Sequence, residues 1–176
     1  MVNIMETIEC IEKRRSRRLF IDKEIPENLI KKLLGCAICA PSSQDCQPWH
    51  FLIVKDKKEE LAGIKEEDNR QHILTAPISI IVCVDTEKSP TRWVEDGVTA
   101  TENILLAAHD LNLGAVYVTV YKEAGLEIAE KIKGIFNIPK HIIPMTVVPV
   151  GYPDMNEELS KKELVDIDKI VHHDKW

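Results

Sequence analysis

The sequence predicts one domain in which helices pack on a buried sheet, and three observations predict it. The run Ile78-Ser79-Ile80-Ile81-Val82-Cys83-Val84-Asp85 is nearly continuous and β-branched, the pattern of a strand covered on both faces and therefore central in a sheet. Over residues 91–112, Val94, Val98, Thr101, Leu105, Ala108 and Asn112 recur at spacings of four and three, the period of a long core or interface helix. No spacer rich in Gly, Ser or Pro divides the 176 residues, so residues 1–176 are expected to form a single unit. A chain of that length buries roughly 70% of its unfolded surface.

The other elements follow in order. Ile4, Ile8 and Ile11 form a helical stripe that delivers Lys13-Arg14-Arg15-Ser16-Arg17-Arg18 at its carboxyl end, where cations suit the helix dipole. Pro26 fits the first turn of a second helix with Leu29, Ile30, Leu33, Leu34, Ala37 and Ile38 inward, and Pro41 ends it. Trp49, Phe51 and Ile53 alternate as in a strand, with Trp49 in the core. Residues 56–67 are charged around Leu61 and Ile64, a solvated amphipathic helix. The polar cluster Asp68-Asn69-Arg70-Gln71-His72 then leads into the central strand. Beyond the long helix come a strand over 113–121, a short helix over 124–134 with Leu126, Ala129 and Ile132 inward, and a strand over 142–150. The tail ends in Trp176, which is costly to leave in water and is expected to dock on something.

Charge locates the first candidate site. The chain has a formal charge of -6, yet five of its 23 Lys and Arg stand within the six residues 13–18. Guanidinium forks with the hydroxyl of Ser16 can surround a dianionic phosphate. The same string also reads as a solvated basic face or a nucleic-acid patch. The acidic balance weakens the nucleic-acid reading, because counterion release needs cations spread over a surface. Glu6, Glu9 and Glu12 at the amino terminus, with no long apolar run, lead us to expect neither signal peptide nor membrane span, and a cytoplasmic protein.

The five cysteines, Cys10, Cys36, Cys39, Cys46 and Cys83, are an odd number that favours free thiols in a reducing compartment. Cys36, Cys39, Cys46 and His50 have the look of a zinc site, and the competing reading makes the thiols core residues of an apolar run. The segment from Ala40 to Trp49 carries Pro41 and Pro48, the hydroxyls of Ser42 and Ser43, the amides of Gln44 and Gln47 and the carboxylate of Asp45. A helix stop and turn into a strand needs less polar equipment, and the pair of Gln residues favours a ligand. No hydrolytic triad, Gly-rich phosphate loop or purposeful carboxylate pair is found, so no catalytic side chain and no metal ligand is assigned.

Four segments in order carry a resemblance: Arg14-Arg15-Ser16-x-Arg18-x-Phe20; Ala40-Pro41-Ser42-Ser43-x3-Gln47-Pro48-Trp49-x-Phe51; Asn103 to Gly114; and Val150-Gly151-Tyr152-Pro153. Together they resemble the FMN-dependent nitroreductase family over nearly the whole chain. The resemblance implies an α+β fold around a mixed, largely antiparallel central sheet flanked by helices, built as an intertwined homodimer with FMN held by residues of both subunits. It further implies that Arg14, Arg15, Ser16 and Arg18, with the late pair Lys161 and Lys162, bind the phosphate and ribityl chain. Pro41, Ser42, Ser43 and Gln44, from the other subunit, correspond to the loop against the isoalloxazine ring, and Gln47 is near them. Asn69 corresponds to the family's pyrimidine-edge contact, His72 stands where a cation often follows, and the backbone of Tyr117, Val118 and Thr119 corresponds to the strand passing flavin N5. By the same resemblance, NADH or NADPH delivers a hydride and leaves before a small-molecule oxidant (nitroaromatic, quinone or flavin) takes its place, a ping-pong scheme. The alternatives are an FMN-binding protein without nicotinamide turnover and a Cys/His metal-organised binding module. The chain departs from the family pattern at Asn112-Leu113-Gly114, where Gly-Leu-Gly is usual, and in the Lys-Lys pair, which lacks Arg.

Overall fold

The β-branched run is the axis of the computed structural model, which describes residues 6–64, 67–120 and 125–176. Strand β2 (Ile78–Asp85) pairs antiparallel with β1 (Trp49–Val54), Trp49 opposite Val84, and on its other side with β5 (Ile142–Gly151). Two short strands, β3 (Gly114–Ala115) and β4 (Val118–Thr119), pair antiparallel with the far edge of β5. Every residue of β2 and β5 is buried, as expected for strands covered on both faces.

The period of two along β2 sorts its side chains between two layers. Ile78, Ile80 and Val82 meet α2 (Glu27–Ala37) and α5 (Trp93–Asp110) in one core, which also holds Leu33, Ala37, Ile104 and Ala108. Ile81 and Cys83 point the other way, toward Leu61 of α3 (Lys58–Gly63), Ile73 of α4 (Glu67–Thr75) and Ile132 of α6 (Glu127–Phe136). Helices on both faces of an antiparallel sheet make this an α+β fold.

Two prolines shape β5. Val82 pairs with Thr146 and Cys83 with Pro144, which leaves Met145 unpaired in a bulge. Gly97 of α5 leaves the room Met145 takes, since a Cβ there would lie 2.9 Å from Met145 Cγ. Pro149 explains why the strand expected over 113–121 divides into β3 and β4. It has no N–H to offer the passing chain, and Val116 N reaches its carbonyl only at 3.4 Å.

Several boundaries and faces differ from those expected. Pro26 caps α2 instead of entering it. The polar cluster at 69–72 is helical within α4, where few apolar residues mark a period. In α1 (Thr7–Lys13) the buried residue is Cys10, while Ile8 and Ile11 are 72% and 52% exposed. The stripe is real but faces away from this chain's core. Val98, in the stripe of α5, is exposed too, because Ala100, Ile104 and Ala108 hold the face against the sheet. Residues 160–176 are exposed throughout, and Trp176 touches only the ring of His172, stacked at 4.3 Å. The docking expected of the tail is not made among the described residues of this chain. Ile4, Tyr121, Ala124 and residues 65–66 of the expected elements lie outside the described residues.

Gly151 closes β5 where the chain turns back past Phe20. A Cβ there would stand 2.6 Å from Pro77 Cδ and 2.9 Å from Phe20 Cδ1. Overpacking costs about 1–3 kcal/mol, so Gly151→Ala should lower the melting temperature by roughly 5 °C in differential scanning calorimetry. An unchanged transition would show that Phe20 yields freely.

Candidate functional site

After α1 the chain runs extended along one end of the sheet, pinned by its backbone. Arg17 N donates to Ala115 O and Ile21 N to Tyr152 O, each at 3.0 Å, and Phe20 bridges to Pro153. Gly114 makes the approach possible: a Cβ on it would sit 2.7 Å from Arg17 Cβ. The backbone is therefore held and the side chains of the basic string are left to point outward.

Their partners divide them. Lys13 pairs with Glu9, Arg14 Nε lies 3.4 Å from Glu102 Oε1, and Arg17 Nη1 lies 3.8 Å from Glu157 Oε2. Arg14 Nε is buried and makes no hydrogen bond, so that ion pair leaves a donor unsatisfied. Arg15 Nη2 donates to the carbonyl of Ser160, and Arg18 N donates to Glu157 Oε1 at 2.9 Å. Among the described residues, the guanidiniums of Arg15 and Arg18 meet no carboxylate, and the Ser16 hydroxyl has no partner. Lys162 Nζ donates to Glu12 O at 2.7 Å, which brings the late basic pair alongside α1; Lys161 is exposed. A cleft of about 220 Å³ opens between Lys13, Arg15, Arg17, His109 and Asn112. Burial, with Arg14 and Arg17 nearby, holds His109 below the usual imidazole range. It stands in the cleft wall as a neutral ring at pH 7.

The second group, the loop from Pro41 to Pro48, sits at the other end of the sheet. Three of its residues, Gln44, Asp45 and Gln47, have left-handed backbones with φ of 53°, 53° and 45°. Such conformations cost about 1–3 kcal/mol each and persist only where the surroundings fix them. Asp96, buried at the start of α5, does much of the fixing. Its Oδ1 accepts Ser43 N at 2.9 Å, its Oδ2 accepts Ser89 Oγ at 2.6 Å, and its backbone carbonyl accepts Trp49 Nε1 at 2.7 Å. Gln47 N donates to Ser42 Oγ, Gln47 Nε2 to Asp45 Oδ1, and Thr99 Oγ1 to Pro41 O. Hydrogen bonds to a charged group contribute about 1.5–3 kcal/mol. Asp96→Ala should lower the unfolding free energy by about 3 kcal/mol in urea titration, and a loss below about 1 kcal/mol would deny it the anchoring role.

Asn69 and His72 lie on α4, whose last residue, Thr75, has Oγ1 3.5 Å from Arg18 O. That contact sets the end of α4 beside the basic string. Tyr117 spans the gap between β3 and β4, and burial pushes its phenol up. Val118 is buried opposite Val147, and Thr119 is exposed opposite Thr146.

The sheet therefore gathers Arg14, Arg15, Ser16, Arg18, Lys161, Lys162 and the end of α4 at one end, and keeps Pro41, Ser42, Ser43, Gln44 and Gln47 at the other. Pro48 O accepts Asp85 N at one end of β2, while Pro77 packs near Phe20 at the other. At about 3.3 Å per residue β2 itself runs roughly 23 Å from Ile78 to Asp85. Cys36, Cys39, Cys46 and His50 do not converge. Among the described residues the group of possible metal ligands that comes together is Asp85, Glu87 and His141, and none of these belongs to that set.

Sequence reading gave Arg17 no role of its own within the string and omitted Glu157 and Asp96. The signal for Asp96 was present: it stands four residues before Ala100, eight before Ile104 and twelve before Ala108, a carboxylate in line with a buried helical face. Glu157 carries no such signal.

Comparison with known proteins agrees with this architecture. The family model described as "Nitroreductase family" matches residues 11–82 and 65–152. A protein of Methanothermobacter thermautotrophicus named "Putative NADH dehydrogenase/NAD(P)H nitroreductase" is 44% identical, covering 99% of this chain and 90% of the relative. A solved structure of the same name from Parabacteroides distasonis superposes with a TM-score of 0.86 at 35% identity, over 97% of this chain and 98% of that one. An FMN-dependent nitroreductase from Clostridium difficile gives 0.82 at 30% identity, over 96% and 99%. With its sequence matched along nearly its full length and its fold superposed on solved members, this chain belongs to the nitroreductase family.

Proposed function

We propose that the protein is an FMN-dependent oxidoreductase that takes electrons from NADH or NADPH and gives them to a small organic acceptor. The observation that carries the reading is the pair of guanidiniums, Arg15 and Arg18, left without a carboxylate beside the free Ser16 hydroxyl and the buried, unsatisfied Arg14 Nε. An acidic chain that keeps such guanidiniums free of carboxylates in one place fits a dianionic phosphate ester. Relatives named for FMN and for NAD(P)H nitroreductase support the choice of ester and of electron donor.

In this reading Arg14, Arg15, Ser16 and Arg18 hold the phosphate and ribityl chain, with Lys161 and Lys162 adding positive charge. Asn69 and His72 face the pyrimidine edge from α4, and the backbone of Tyr117, Val118 and Thr119 orients the ring where it reacts. Pro41, Ser42, Ser43, Gln44 and Gln47 lie toward the other end of the sheet within one chain, where Pro48 O accepts Asp85 N. In this reading they meet the ring from a second copy, as the family resemblance implies, and the site belongs to a homodimer. The uncovered Ile8, Ile11 and Val98 and the exposed tail supply apolar surface for that interface. Bound FMN supplies hydride acceptance from reduced nicotinamide and electron delivery to a nitroaromatic, quinone or flavin in a ping-pong sequence. The protein contributes position, donors to the anionic reduced ring and a dry strand face, and no side-chain nucleophile is required. We read residues 1–176 as one domain working in the cytoplasm, which five unpaired thiols suit.

The test is the visible spectrum of the purified protein, followed by anaerobic addition of NADH and NADPH in separate cuvettes. Flavin bands that bleach with either donor support the reading. Bands that persist with both would leave an FMN carrier, and a colourless protein that takes up no added FMN would overturn it.

A further inference from the structure

Cys36 and Cys39 play no part in the proposed flavin chemistry, and the structure places them together. Cys36 lies in the last turn of α2 and Cys39 just beyond it. Cys39 N donates to Cys36 O at 3.1 Å, a four-residue turn that holds the two Cα atoms within disulfide range. Cys39 Sγ folds back and donates to Gly35 O at 3.2 Å, the carbonyl joined to Cys36 N. Both side chains line one groove of about 380 Å³ between α1, α2 and α5, with Cys10, Asn103 and Asp110 on its other wall. In the single chain Cys39 is exposed, Cys36 is half-buried, and a Cβ on Gly35 would meet nothing within 4 Å. Cys10 is the inert member of the groove, since burial, reinforced by Asp110, pushes its thiol up and its Sγ is turned to Leu106 O.

We propose that Cys36 and Cys39 form a vicinal dithiol that undergoes exchange with small disulfides, closing a reversible Cys36–Cys39 bond at the end of α2. The exposed Cys39 thiolate attacks one sulfur of the small disulfide, forming a mixed disulfide and releasing one thiol. Cys36 then attacks Cys39 Sγ, forming the internal bond and releasing the second thiol. The two protein thiols give up two protons and two electrons, and the small disulfide takes up both. Ala40 and Pro41 follow Cys39 directly, so the bond forms at the root of the loop that Asp96 and Thr99 hold.

The experiment treats the full-length protein, with whatever flavin it carries, with oxidised glutathione, then alkylates and maps thiols by mass spectrometry. Free thiols should fall from five to three per chain, the missing two joined as Cys36–Cys39. Cys36→Ser should accumulate glutathione on Cys39, and Cys39→Ser should leave Cys36 unmodified. A lasting glutathione adduct on Cys39 in the wild type, a bridge to Cys46 or Cys10, or five thiols still free would each overturn the proposal. Should the variants not fold, phenylarsine oxide on the wild type decides: one equivalent bound with loss of these two thiols supports the dithiol, and no stoichiometric uptake refutes it. Thiol counting does not involve the flavin, so this reading and the flavin reading fail separately.

Discussion

Arg18→Ala is expected to weaken FMN binding roughly tenfold to a hundredfold while leaving the unfolding transition in place, because a charge-assisted hydrogen bond contributes about 1.5–3 kcal/mol. The side chain is exposed and holds no ion pair among the described residues, so the protein without ligand loses nothing when it is removed. Arg14→Ala mixes two effects. It should also weaken FMN binding several-fold or more, but it breaks the pair with Glu102 and strips a half-buried stem, so stability falls with affinity. Arg18→Lys keeps the charge and loses the rigid fork, and should fall between wild type and Arg18→Ala. Titration of the flavin-free protein with FMN, followed by quenching of flavin fluorescence, reads all three. An affinity for Arg18→Ala within twofold of wild type would remove Arg18 from the phosphate site.

Deleting residues 163–176 is expected to raise the dimer dissociation constant by about a hundredfold or more and to lower FMN affinity with it. The segment exposes Leu164, Val165, Ile167, Ile170, Val171 and Trp176, the last of these completely. Burying a large aliphatic side chain contributes about 1.5–3 kcal/mol, so two or three of these groups seated on a partner suffice for that change. Among the described residues, the Arg15 bond to Ser160 O and the Lys162 bond to Glu12 O tie residues 160–162 to this chain's own body, and both lie before the cut. Sedimentation across a range of concentrations, with and without FMN, makes the comparison. A truncated protein that dimerises like the full chain would place the interface elsewhere, and a full chain that stays monomeric would withdraw the shared site.

Which parts were legible depends on whether the signal was local. β2 was legible in full because burial on both faces requires an unbroken β-branched run, and such a run has few other uses. The basic string was legible because five like charges in an acidic chain call for a partner. Helix α4 was missed because Glu67–Thr75 is mostly polar and its packing comes from Ile73, which no spacing sets apart. The faces of α1 and α5 were misjudged at Ile8, Ile11 and Val98 because an apolar stripe states that a surface will be covered and is silent on what covers it. Asp96 was passed over because its worth lies in three hydrogen bonds made to residues seven to 53 positions away.

By itself the sequence determined the central strand, the long helix, the dense basic string and the polar loop, since periodicity, charge density and proline placement act over a few neighbouring residues. The tertiary structure alone decided that Arg15 and Arg18 keep no carboxylate while Arg14 and Arg17 do, because Glu102 and Glu157 reach the string from distant parts of the chain. It also decided that the string and the loop stand at opposite ends of the sheet. The antiparallel register of β1 on β2 sets Trp49 beside Val84 and that of β2 on β5 sets Ile78 beside Val150, and these pairings, which join residues far apart in the chain, put the two groups at different ends.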